Sequence, residues 1–115
     1  MEVQIFGVKK SPETRAALRF FAERRIRVHF ADLQERPAAK GELTRFVQRF
    51  GIPALIDRGS RRFAELGLAA AARSDERWLE LLVAEPLLLR MPLVRYQQQF
   101  TVGSAEDIWR IWTGK

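Results

Sequence analysis

The chain of 115 residues contains no cysteine. This absence excludes disulfide bonds, thiolate zinc sites, thiol redox catalysis and cysteine nucleophiles, because each of them requires a cysteine sulfur atom. The only histidine is His29, and histidine-based metal sites normally need two or three imidazoles. We therefore expect the protein to hold neither a metal ion nor a cofactor.

Long apolar runs are also missing. No apolar stretch reaches the length of about 18 residues that a membrane-spanning helix needs, and the first residues lack the pattern of a secretory signal. We expect a cytoplasmic protein that makes no contact with a membrane. No linker, repeat or low-complexity segment interrupts the chain, so residues 1–115 are predicted to form one domain.

The charge is unevenly divided between the two signs. Lysine and arginine together number 20 against 14 aspartates and glutamates, which gives a formal net charge of +6, and 16 of the 20 are arginine. This balance favours an acidic protein partner or an anionic ligand. Basicity alone is also compatible with an ordinary solvated surface, so we expect no direct contact with nucleic acid.

The first third of the chain has the pattern of a βαβ unit. Val3 and Ile5 lie in an apolar, β-branched stretch that predicts a buried strand, and residues 26–31 alternate as a half-covered strand does. Between them, Ser11-Pro12-Glu13 places a hydroxyl at a helix N-cap, followed by proline at the first helical position and an acid in the first turn. A right-handed crossover would make the two strands parallel.

The middle of the chain is predicted to be mostly helical. Apolar spacing predicts a helix over residues 37–50 that ends at Gly51. Residues 52–60 contain proline, aspartate and glycine, which indicates a surface connection. A helical, alanine-rich stretch begins near Phe63, restarts at Ser74 and stops at Pro86.

The last part of the chain predicts a hairpin and a final helix. Residues 93–94 and 100–102 form its strands, with a turn at residues 96–99, and Ser104 is the N-cap of a helix with four apolar side chains: Ile108, Trp109, Ile111 and Trp112. The complete order predicts an α/β, thioredoxin-like fold with a helical insertion. Its four-stranded mixed sheet would be flanked by helices.

Four segments of the chain resemble the ArsC/Spx family, which contains glutaredoxin-coupled arsenate reductases and the Spx transcription regulators. They are a strand with its loop and helix start, an arginine-bearing loop, a leucine run before a proline, and a turn into the last helix: residues 5–16, 58–66, 85–93 and 102–107. Their order and spacing together carry the resemblance. It implies that Pro92 follows a cis peptide bond.

Two departures from the family pattern bear on function. The resemblance implies a catalytic thiolate where Ser11 stands, and a second thiol in Spx-type members where Thr14 stands. A serine hydroxyl forms no disulfide with glutathione or glutaredoxin, so redox catalysis of the family type is not expected. The resemblance also implies an anion-binding arginine at the position of Met91.

These departures leave three functional hypotheses. The first is a non-redox module that binds an oxyanion, such as phosphate, sulfate or arsenate, or an acidic protein. The second is a glutaredoxin-coupled arsenate reductase or a related glutathione-dependent oxidoreductase, as the resemblance implies. The third is a Spx-like regulator that binds RNA polymerase.

The candidate anion-binding residues are those with cationic or capping groups in the matching loops: Lys10, Ser11, Arg58, Arg61 and Arg90. A helix N-terminus attracts anions, but the same serine could act only as a cap. We assign no catalytic residue. We expect a structural role for His29 on the partly solvated or helix-covered face of the sheet.

Overall fold

The computed structural model describes residues 1–70 and 72–114. They form two compact units. The first combines Met1–Arg36 with the residues from Met91 onward, and the second is the continuous segment Pro37–Arg90. Within the described residues, no helix has the length and apolar character needed to cross a bilayer.

The elements follow one another as a βαβ unit, a helical segment and a ββα unit. In chain order they are β1 (Glu2–Gly7), α1 (Pro12–Glu23), β2 (Arg27–Asp32), α2 (Lys40–Phe50), α3 (Ile52–Leu55), α4 (Arg61–Glu65), α5 (Asp75–Ala84), β3 (Leu93–Tyr96), β4 (Gln99–Val102) and α6 (Glu106–Thr113). Short 3-10 turns lie at Leu68–Ala70 and Pro86–Leu88.

The first unit contains a four-stranded mixed sheet in the order β2-β1-β3-β4. Strand β1 is parallel to β2 and antiparallel to β3, and β3 is antiparallel to β4. This arrangement confirms the predicted thioredoxin-like topology with its helical insertion. The predicted βαβ unit and the predicted terminal hairpin are both present.

A cluster of buried side chains joins this sheet to α1 and α6. Val3, Ile5 and Val94 pack with Phe21 of α1 and with Trp109 of α6, which is 1% exposed. The indole Nε1 of Trp109 donates a hydrogen bond of 2.9 Å to the hydroxyl of Thr101 in β4. This hydrogen bond satisfies the only polar atom of the indole, so burying the ring leaves no donor without a partner.

The second unit is helical, and its core comes from apolar residues of several short elements. Helix α2 packs on α3 and α5, and α4 packs on the turn Pro86–Leu88. The prediction of a surface connection at residues 52–60 is wrong for the first half of that segment. Ile52, Leu55 and Ile56 are buried, and Ile56 pairs with Leu89 as an antiparallel bridge, because their apolar side chains outweigh the turn signal of the neighbouring proline.

Two other boundaries differ from the prediction. Ser60 caps α4 by accepting a hydrogen bond from the backbone N–H of Phe63, so this helix begins before the predicted start. It ends at Glu65, and Gly67, with a φ of +63°, follows two residues later and interrupts the alanine-rich stretch. In the hairpin, the strand continues through Tyr96 and resumes at Gln99, which leaves a turn of two residues rather than four.

The last helix also differs from the prediction. Ser104 is not its N-cap, because the helix starts one residue later and Ala105 occupies the cap position without a side-chain hydrogen bond. Of the four predicted apolar side chains, Trp109 is buried, whereas Ile108 and Ile111 are 42% and 79% exposed. The helix buries only the side that carries its tryptophans.

An ion pair joins α4 to the segment after α5. The guanidinium of Arg62 donates from Nε and Nη2 to both carboxylate oxygens of Glu85, with Nε at 3.2 Å from each oxygen. These hydrogen bonds lower the pKa of Glu85 below its ordinary value and raise that of Arg62. Arg62 also contacts Glu65, at 3.4 Å.

We predict that Trp109→Phe destabilises the fold by about 2 kcal/mol, because it removes the bond to Thr101 and leaves space beside a smaller ring. Urea unfolding of the purified protein measures this loss. The double variant with Thr101→Val should cost less than the sum of the two single variants, since neither polar group is then left without its partner. Trp112→Phe, at a half-buried indole, is the control. Additive costs would contradict the coupling.

We predict that Glu85→Gln removes part of the pH dependence of stability. A lowered folded-state pKa means that the ion pair stabilises the protein above the ordinary glutamate value of 4.5, and that this contribution is lost as the pH falls through the folded pKa. Urea unfolding at pH 7 and pH 3 should therefore show a smaller difference in the variant. The control is Glu80→Gln, at an exposed position of α5, and an equal difference in both variants would contradict the assignment.

Candidate functional site

The loop after β1 leads directly into α1. The N–H of Ser11 donates to the carbonyl of Val8 at 3.1 Å, which closes the loop. The Ser11 hydroxyl then accepts a 3.1 Å hydrogen bond from the N–H of Thr14, so Ser11 is the N-cap of α1. The predicted capping residue is therefore correctly placed, and its oxygen is already in use.

Few backbone donors remain at this helix start. Pro12 has no N–H group, the N–H of Thr14 is bound to the serine hydroxyl, and that of Arg15 is bound to the Ser11 carbonyl. In the first turn, only the N–H of Glu13 has no partner among the described residues, and that residue carries a negative charge itself. An anion at this position would therefore meet one free donor rather than a ring of them.

Thr14 is packed tightly against the end of β1. Its side chain is fully buried, and its hydroxyl oxygen has no hydrogen-bond partner among the described residues. A Cβ atom placed on Gly7 would lie 2.4 Å from that oxygen. Glycine is thus required at the end of β1, because any larger residue would collide with the first turn of α1.

The two lysines of the loop have different surroundings. Lys9 Nζ lies 3.9 Å from a carboxylate oxygen of Asp32 and 3.7 Å from one of Glu35. Asp32 is the last residue of β2 and stands beside Gly7 in the parallel register. Lys10 is exposed and forms no ion pair with the described residues. The charge of one lysine is therefore offset by carboxylates, and that of the other is not.

The Met91–Pro92 peptide bond is cis. The β1–β3 register pairs Phe6 with Leu93, and its next step places Pro92 beside Gly7. Pro92 is buried, and its carbonyl accepts a 2.9 Å hydrogen bond from Gly103. Within the first unit, this proline and the loop after β1 thus lie at the same edge of the sheet.

The candidate arginines lie in the second unit. Arg61 is exposed and lies 3.6 Å from Glu65. The guanidinium carbon of Arg58 lies 5.6 Å from the centre of the Phe63 ring, and Arg58 forms no ion pair with the described residues. Arg90 is exposed and likewise without an ion pair among them. Two of the three candidates therefore present an unneutralised charge.

The backbone keeps Arg58 and Arg90 apart. The N–H of Asp57 donates to Leu88, and that of Arg90 donates to Leu55, so residues 55–57 run antiparallel to residues 88–90. In this ladder Arg58 follows one end and Arg90 stands at the other. At about 3.3 Å per residue, they are roughly 10 Å apart along the strand direction. The backbone positions of Arg58 and Arg90 are therefore not adjacent.

The sequence analysis missed two acidic residues that form ion pairs with basic residues of the matching loops. Asp32 lies near Lys9, and Glu85 engages Arg62 through both oxygens. The first could have been found, because a residue that ends one parallel strand lies beside the end of its neighbour. The second could not, since 23 residues separate the pair and no periodic pattern connects them.

His29 lies on the solvated side of β2. Its Nε2 is 3.4 Å from a carboxylate oxygen of Glu2, and its side chain is 54% exposed. No group of three or more potential ligands in residues 1–70 and 72–114 is arranged to hold a metal ion. The histidine thus contacts Glu2 at the surface of the first unit.

The sequence of the chain matches a known protein family. The model of the ArsC family matches residues 6–111. The chain is 29% identical over 109 residues to a protein named global transcriptional regulator Spx 2, from Oceanobacillus iheyensis, and this match covers 93% of the chain and 80% of that protein.

Solved structures of low identity show the same fold. An ArsC family related protein from Bacteroides fragilis matches with a TM-score of 0.85 at 16% identity, over 96% of this chain and 97% of that one. An arsenate reductase from Vibrio cholerae matches with a TM-score of 0.83 at 23% identity, over 96% and 98% of the two chains. With a family match that extends over nearly all its length and a sheet of the same topology, the chain belongs to the ArsC family.

Proposed function

We propose that this chain is a non-redox member of the ArsC family that acts by binding another protein, and that it regulates transcription through contact with RNA polymerase. The observation that carries the proposal is that serine stands where the resemblance implies a catalytic thiolate. Its hydroxyl caps α1 by accepting a hydrogen bond from the N–H of Thr14, and no residue of the chain can supply a thiolate, because cysteine is absent.

The chemistry of reduction supports this choice. Reduction of an oxyanion by the family route needs a thiolate that attacks it and then forms a disulfide with glutathione or glutaredoxin. A serine hydroxyl stays protonated near neutral pH and cannot be oxidised in this way. The position of Thr14 offers no replacement, since its side chain is buried against Gly7.

The loop also favours a protein over a small oxyanion as its ligand. Asp32 and Glu35 offset the charge of Lys9, and one free N–H remains in the first turn of α1 among the described residues. Met91 stands where the resemblance implies an anion-binding arginine. A multiply charged anion would need several converging donors. Oxyanion binding by Lys10, Ser11, Arg58, Arg61 and Arg90 therefore stays a prediction, and the protein-binding hypothesis has more support.

Two observations indicate the kind of partner. The protein has a formal net charge of +6. Some of its exposed arginines, such as Arg58 and Arg90, form no ion pair with the described residues. Such groups favour an acidic surface and accelerate association with it. The relative from Oceanobacillus iheyensis is named as a global transcriptional regulator, so RNA polymerase is the partner to test first.

We predict no reductase activity. Purified protein with arsenate, glutathione, glutaredoxin and a reductant-regenerating system should consume reductant at the background rate. In a separate incubation with oxidised glutathione, the thiolate of Ser11→Cys should attack the glutathione disulfide, release one reduced glutathione and form a mixed disulfide that mass spectrometry detects, because a helix N-terminus lowers the pKa of a thiol. Ser104→Cys, at an exposed position before α6 but outside its cap, should react several-fold more slowly. Turnover by the unaltered protein would refute the non-redox assignment.

We predict that immobilised protein retains purified RNA polymerase and that the exposed arginines of the second unit contribute. Arg58→Glu combined with Arg90→Glu should lower retention at least fivefold, because like charges then face the partner. The matched control is Arg45→Glu with Arg77→Glu, which changes the net charge equally at exposed positions of α2 and α5. Equal losses in the two double variants would reject the site, and no retention of the unaltered protein would reject the partner.

A further inference from the structure

A row of side chains crosses the first unit's sheet near the start of β1. The strand registers pair Gln4 with His29 of β2 and with Arg95 of β3, and they pair Arg95 with Phe100 of β4. Residues paired in this way project from the same face of a sheet. Because Val3, Ile5 and Val94 face the helices, the alternation of strand residues puts this row on the opposite face.

Arg95 is the one member of the row with a permanent charge, and its charge is not neutralised. Its Nε donates a 2.8 Å hydrogen bond to the carbonyl of Gln97, and its guanidinium carbon lies 5.4 Å from the centre of the Phe100 ring. These two contacts orient the side chain. Its terminal nitrogens make no hydrogen bond to the described residues, and no described carboxylate lies within ion-pair distance.

The carboxylate of Glu2, on the same face of the sheet, contacts side chains of β2 and not Arg95. Glu2 contacts two side chains of β2, with its carboxylate 3.3 Å from Arg27 Nη1 and 3.4 Å from His29 Nε2. These contacts lower the pKa of Glu2, so its carboxylate is ionised near neutral pH. One negative charge is therefore fixed on this face and engaged with β2, while the guanidinium of Arg95 is left without a counterion.

Three members of the row, Gln4, His29 and Arg95, line a cavity that is open to solvent. Its volume is about 640 Å³, and its walls include Glu2, Gln4, His29 and Arg95 together with Met1 and Gln97. Small-molecule sites typically have volumes of roughly 300–1,000 Å³. The side-chain amide of Gln4 makes no hydrogen bond to the described residues, so it can donate toward the same space as Arg95.

We propose that this cavity binds a small molecule through a single carboxylate group, which pairs with the two terminal nitrogens of Arg95 and accepts a hydrogen bond from the amide of Gln4. The guanidinium fork matches the two oxygens of a carboxylate. A dianion such as phosphate fits less well, because the carboxylate of Glu2 lines the same cavity and repels the second negative charge. The site is separate from the loop after β1 and does not depend on the proposed function.

Acetate is the simplest probe, and an NMR titration of the isotope-labelled full chain tests the site. Acetate should shift the Arg95 Nε–H and the Gln4 side-chain amide resonances along a saturable curve, whereas chloride at equal ionic strength should leave them nearly unchanged. Arg95→Gln should raise the apparent Kd for acetate at least tenfold, and Gln4→Leu a few-fold. Arg110→Gln, which alters an exposed arginine of α6, is the matched control and should leave the Kd unchanged.

Several results would overturn this assignment. Shifts that do not saturate, or that chloride reproduces, would mean that only ionic strength acts on these groups. An unchanged Kd in both Arg95→Gln and Gln4→Leu would place the ligand elsewhere. Tighter binding of inorganic phosphate than of acetate would reject the single-carboxylate class.

Discussion

The burial of Trp109 is the interaction on which the first unit depends. The indole packs between elements that are far apart in sequence, with ring centres 5.6 Å from Phe20 and 5.4 Å from Phe21 of α1. Its hydrogen bond to Thr101 fixes the same ring to β4. The last helix thereby holds α1 on the sheet, and the start of α1 determines where Ser11 stands. The candidate site is thus positioned by a residue at the other end of the chain.

What that position can do follows from the atom that occupies it. A thiol at the start of α1 would have a lowered pKa because of the helix, whereas the serine hydroxyl there stays protonated near neutral pH and caps the helix by accepting a hydrogen bond from the N–H of Thr14. Of the two lysines in the surrounding loop, Lys9 adds little free positive charge, because carboxylates lie near it.

Much of the fold could be predicted from local patterns. Strand alternation and the Ser11-Pro12-Glu13 cap located the βαβ unit, and the order of the remaining elements gave the topology. The patterns failed where long-range packing decides the outcome. Ile56 is buried because it pairs with Leu89, and Ile111 is exposed because Trp109 directs the other side of α6 inward. The ionic partners of Lys9 and Arg62 depend on tertiary contacts in the same way.

Thr14 illustrates how little chemistry a buried polar residue can contribute. Its hydroxyl is buried and has no hydrogen-bond partner among the described residues. The side chain occupies the space that a Cβ atom on Gly7 would need. The fit between a bare backbone and a small branched side chain is therefore a matter of volume. The size and shape of the side chain at residue 14 therefore matter more than its hydroxyl group. Valine, which has nearly the same shape as threonine, should fit this position equally well.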